Sequence, residues 1–100
     1  MNKKSAESQM EEKYQQIKLL TEQERYADAL VLVEALLKDN SHDDMLWYLK
    51  GNIYKKQEQW QQAIDSYTEA IAINRENPAT TMRRICIDIL NFYDKTMYNP

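Results

Sequence analysis

Residues 44–77 read DMLWYLKGNIYKKQEQWQQAIDSYTEAIAINREN. The second half of this stretch places Trp60, Ala63, Ile64, Tyr67 and Ile71 at i, i+3, i+4, i+7 and i+11, a spacing that gathers apolar side chains onto one face of an α-helix. The first half, residues 44–56, is also helical in pattern. Only the polar turn Gln57-Glu58-Gln59 separates the two, and so short a connection leaves antiparallel packing as the available arrangement. The unit is a helical hairpin.

The same burial code stands 34 residues upstream. Residues 10–43 slide onto 44–77 without a gap, pairing Tyr14 with Tyr48, Gln23 with Gln57, Glu24 with Glu58, Ala29 with Ala63 and Asn40 with Asn74. Apolar positions coincide where identity is lost: Leu19 with Ile53, Tyr26 with Trp60, Leu30 with Ile64, Val33 with Tyr67 and Leu37 with Ile71. A second hairpin is therefore expected, from helices near 7–21 and 26–37 joined by the turn TEQE. Between the hairpins, Ser41-x-x-Asp44 has the form of a capping box, with the Ser41 hydroxyl accepting from the first N–H groups of a helix that starts at 43 or 44. Asn77 as N-cap and Pro78 at the first helical position begin a fifth helix. Its apolar face (Met82, Ile85, Cys86, Ile89, Leu90, Phe92, Tyr93, Met97) is wide, and it is expected to lie across the second hairpin and close the core. Residues 1 to about 6 are expected to be a loose polar lead-in.

Composition agrees. One glycine and two prolines in 100 residues cannot furnish the hairpins and bulges of an all-β fold. The length fits one domain. Thirteen basic and sixteen acidic side chains give a net charge of -3, which recruits neither nucleic acid nor an anionic membrane. Cys86 is alone, which excludes an internal disulfide and fits a reducing compartment. The longest apolar run, Ala29 to Val33, is too short to span a bilayer, and the N-terminal stretch lacks the apolar core of a secretory signal. A cytoplasmic location is expected.

With Trp47, Gly51 and Tyr54 at their spacing, then Ala63-x3-Tyr67 and Ala70, residues 44–77 resemble the tetratricopeptide repeats, 34-residue helix-turn-helix units with the pattern W-x2-L-G-x2-Y…A-x3-F…P. Residues 10–43 match more loosely, with Lys13 at the Trp position and Ile17 at the Gly position; Lys50 replaces the usual Leu, and Ser41 and Arg75 the closing Pro. The resemblance implies an all-α, right-handed stack of two antiparallel helical hairpins plus a C-terminal capping helix, five helices in all. It divides a single domain, 1–100, into repeats 10–43 and 44–77 and a capping helix 78–97, as in small stand-alone members of the family.

Gly51 supports the hairpin independently. Glycine in a helix interior costs about 1 kcal/mol relative to alanine, so close approach of the partner helix, around Ala63 and Tyr67, is the natural compensation.

Catalysis finds little material. His42 lies in a polar turn, no His or Cys pair has metal-ligand spacing, and no Gly-rich phosphate loop exists. Asp43-Asp44 and Glu11-Glu12 sit near helix starts, where they complement the helix dipole. Cys86 reads as a small apolar core residue. The chain is expected to be no enzyme and to use no cofactor or metal. Trp47, Tyr54, Trp60 and Tyr67 read as core rings. Tyr14 and Tyr48 recur on the first helix of each hairpin, which lines the concave face in proteins of this kind. A column of Tyr14, Lys18, Tyr48, Asn52, Lys55, Met82 and Arg83 is the candidate groove, and its donors favour an acidic or carboxylate-bearing peptide. Tyr14 and Tyr48 stand where a clamp Lys would be, so the family's full carboxylate clamp is absent. The alternative is a self-associating structural protein that dimerises through the C-terminal helix, with Phe92, Tyr93 and Met97 in a symmetric interface; the chain itself is expected to be a monomer or weak homodimer. Nucleic-acid binding through Arg83-Arg84 and Lys55-Lys56 is disfavoured by the acidic total.

Overall fold

The computed structural model describes the backbone of residues 2–98 and the side chains of residues 9–93. Five α-helices follow in chain order: α1 (Asn2–Glu22), α2 (Tyr26–Asp39), α3 (Asp44–Lys56), α4 (Trp60–Ile73) and α5 (Ala79–Tyr98), with no strand among the described residues. The polar lead-in expected through residue 6 is helical from Asn2, because nothing in NKKSAESQMEEK, free of glycine and proline, stops a helix. Met97 carries no described side chain.

Helices α1 and α3 end in the same way. The Arg25 N–H donates to the Leu20 carbonyl and the Glu24 N–H to Thr21; 34 residues on, Gln59 donates to Tyr54 and Glu58 to Lys55. This is the Schellman arrangement, which needs a left-handed residue at its centre. Glu24 (φ 61°) and Glu58 (φ 59°) fill that role, where glycine is usual. Composition hid both turns.

The capping of α3 differs from the expectation. Asp43, not Ser41, is the N-cap: its Oδ1 accepts from the N–H groups of Met45 (2.9 Å) and Leu46 (3.3 Å). With the helix beginning at Asp44, Ser41 stands too far outside to reach those donors, and its hydroxyl lies 3.3 Å from His42 Nδ1 instead. Asn77 caps α5 as expected, Oδ1 accepting from the Ala79 N–H at 2.7 Å. Asp43 and Asn77 are themselves 34 apart, so α5 starts in register as the first helix of a third unit.

Helices α3 and α4 share the most extensive contact, α4 and α5 the next; α2 packs on α3, and α1 reaches both α2 and α3. Ile17, Ala29, Val33, Leu37, Leu46, Leu49 and Ile53 form one buried cluster, and Ala63, Tyr67, Ala70, Ala79 and Cys86 a second, with Trp47 and Tyr48 against both. Burying each large aliphatic residue contributes about 1.5–3 kcal/mol. At Gly51 the close approach is plain: a β-carbon there would meet the Tyr67 ring, with Cδ1 at 2.5 Å and Cζ at 3.0 Å. The first hairpin solves the same problem in reverse. Ile17 takes the glycine position and Val33 the tyrosine position, both fully buried, so a large-small pair replaces a small-large one.

Asp44 joins the units. Its Oδ2 accepts from Asn74 Nδ2 (3.1 Å) and Asn77 Nδ2 (2.7 Å), tying the start of α3 to the cap of α5.

Candidate functional site

Three helices that stand first in their units, α1, α3 and α5, line a hollow of about 270 Å³ with Lys18, Thr21, Glu22, Tyr48, Leu49, Asn52, Lys55, Lys56 and Met82. Of the seven residues in the expected column, it gathers five: Lys18, Tyr48, Asn52, Lys55 and Met82. The other two point to different tasks. Tyr14 donates its hydroxyl to Asp43 Oδ2, bracing α1 against the cap of α3. Arg83 donates from Nη1 to Thr68 Oγ1 of α4 at 3.2 Å and lines a separate hollow with Thr80, Thr81, Arg84, Ile85 and Ile87. The Lys55-Lys56 and Arg83-Arg84 pairs line different hollows.

Sequence reasoning missed Thr21, Glu22, Leu49 and Lys56. A signal existed, since Thr21 and Lys55, and Glu22 and Lys56, are each 34 apart and one helical turn beyond Lys18 and Asn52.

The hollow's chemistry is mostly that of donors. Lys18, Lys55 and Lys56 bring three ammonium groups against one carboxylate, Glu22. The Thr21 hydroxyl is committed to the Ile17 carbonyl at 2.7 Å. Beneath the hollow lies Tyr67, fully buried, its ring 6.0 Å from that of Tyr48 and its hydroxyl donating to Asn52 Oδ1 at 2.5 Å. Burial above all, then the neighbouring Cys86 and Tyr48, raises the Tyr67 hydroxyl well above the usual tyrosine range, so it keeps its proton. Burial also pushes the Cys86 thiol up, against the pull of Lys55; a thiol held protonated is a poor nucleophile. No cluster of three or more His, Cys, Asp or Glu side chains suited to a metal occurs among the described residues, and no helix among them is long and apolar enough to cross a membrane.

The tetratricopeptide repeat model matches residues 45–77, the unit whose hairpin, glycine contact and turn have just been described. Residues 45–77 are a tetratricopeptide repeat. The chain is also similar to a Bacteroides fragilis protein, BF1650, known from a solution NMR structure: identity is 40%, the match covers 86% of this chain and 88% of that one, and the TM-score is 0.77. No curated protein matches it. Tetratricopeptide repeats generally mediate protein–protein interaction and are typically non-catalytic.

Proposed function

We propose that this chain is a non-catalytic interaction module that takes an extended, acidic peptide segment in the hollow between α1, α3 and α5. The observation that carries the reading is the convergence of Lys18, Lys55 and Lys56 on one cavity with the Asn52 amide, beside the apolar surface of Tyr48, Leu49 and Met82. Ammonium groups at a partly enclosed surface attract carboxylates, while the rings and thioether cover the aliphatic parts of the same segment. A lone buried thiol, Cys86, suits the reducing cytoplasm.

An array of short acidic peptides, read by fluorescence polarisation, tests this. The Tyr48→Ala/Asn52→Ala variant should lose about tenfold or more in affinity for the peptides that bind, with unchanged helicity. Raising salt should weaken the same interaction. Binding that ignores both changes places the partner elsewhere.

A second reading, self-association through α5, is favoured by the exposure of Ile85, Ile87, Phe92 and Tyr93 on that helix; Met97 lies outside the described side chains. Sedimentation over a dilution series decides it, and a monomer at micromolar concentration argues against it.

A further inference from the structure

We propose that Tyr67, buried beneath the hollow, is a positioning residue that turns the Asn52 amide outward as a donor, so that the site reads the backbone carbonyls of a bound segment as well as its carboxylates. The inference rests on the peptide-binding reading above and adds to it a residue that no ligand can touch.

An asparagine amide carries an acceptor and two donors, and its flip decides which faces a ligand. Asn52 stands at the wall of the hollow, half-buried. The flip follows from Tyr67, whose hydroxyl has no access to water and donates to Asn52 Oδ1. A buried phenol that retains its proton must find an acceptor or leave a donor unsatisfied, which is costly. Satisfying it draws the carbonyl end of Asn52 inward and leaves the NH₂ end for the hollow. The hydrogen bond thus converts an ambivalent side chain into a fixed donor among Lys18, Lys55 and Lys56. Lysine ammonium groups are mobile point charges suited to carboxylates; an amide held in one orientation matches the directional lone pairs of a peptide carbonyl.

The packing makes the assignment separable from the fold. Tyr67→Phe keeps the ring that fills the space left by Gly51 and removes only the hydroxyl. The probe is a fluorescein-labelled octapeptide of alternating Glu and Leu, which in extended form sends carboxylates and aliphatic groups to opposite sides. Tyr67→Phe should weaken its binding about twofold to tenfold, the range of one hydrogen bond, and should add nothing when introduced beside Asn52→Ala. Two results overturn the proposal: affinity unchanged in Tyr67→Phe, or an equal loss in the Asn52→Ala background, which would mean a merely structural effect. If the natural chain binds no such peptide, the peptide-binding reading fails, and ¹⁵N relaxation of the Asn52 side-chain amide decides the positioning role by itself. A rigid amide that Tyr67→Phe sets free sustains that role; an amide already mobile in the natural chain ends it.

Discussion

Two residues hold backbone or side-chain positions against their own preference, and opposite substitutions expose them. Gly51 sits inside α3, where alanine would be the better helix former by about 1 kcal/mol. Its missing β-carbon is what lets the Tyr67 ring lie against the helix. Gly51→Ala should therefore destabilise by about 1–3 kcal/mol, because ring and backbone must move apart in a close-packed core. Glu58 has the reverse problem: at φ 59° its β-carbon crowds the following carbonyl, a strain of about 1–2 kcal/mol that glycine would relieve. Part of that relief returns as unfolded-state entropy. Glu58→Gly should raise stability by about 0.5–1 kcal/mol, and Glu24→Gly should do the same at the equivalent turn. Urea melts on the three variants check both signs; a more stable Gly51→Ala or a weakened Glu58→Gly would contradict the packing described.

At the scale of elements, the hairpins, the order of the helices and the Asn77 start of α5 were legible because each is written in side-chain periodicity or a capping residue. The turns were less legible, since glutamate gives no hint of a left-handed conformation that glycine would have announced. Ser41 and Asp43 both belong to the capping class, and only the actual first turn chooses between them. The groove was half legible: spacing by 34 found its column, but spacing says nothing of which hydroxyl a cap will capture, so Tyr14 went to Asp43. Asn77 shows how one residue serves two elements. Its Oδ1 caps α5 and its Nδ2 donates to Asp44, in a site only 3% exposed. Asn77→Ala should cost about 1–3 kcal/mol, a cap plus a buried bond. Asn77→Asp separates the contributions, because aspartate caps as well as asparagine but cannot donate and sets a second carboxylate against Asp44. A loss at neutral pH in this variant, measured by chemical denaturation, shows that the tie between units matters beyond the cap; a neutral result confines the role of Asn77 to α5.

For the whole molecule, the balance of protons sets where stability ends. Burial raises the Tyr67 hydroxyl; burial, the bond to Asp43 and the charges of Asp43, Asp44 and Glu11 raise Tyr14; burial and the charge of Glu34 raise Tyr54; burial raises Cys86. These groups lie above their unfolded values, about 10 for tyrosine and 8.5 for cysteine. In each, the folded chain keeps a proton that the unfolded chain has lost, so the stability they contribute is complete below about pH 8 and is lost as pH rises beyond the unfolded values. Every proton so retained steepens the decline by about 1.4 kcal/mol per pH unit, and Tyr67, with no exposure at all, holds its proton most firmly. Urea midpoints should be flat from pH 7 to about 8 and fall increasingly through pH 9 to 11. Tyr67→Phe should start lower at neutral pH, having lost the bond to Asn52, yet decline less steeply, so that the two curves converge at the alkaline end. Parallel curves would mean that the Tyr67 hydroxyl reaches water in the folded chain, and that the core under the hollow is looser than its packing requires.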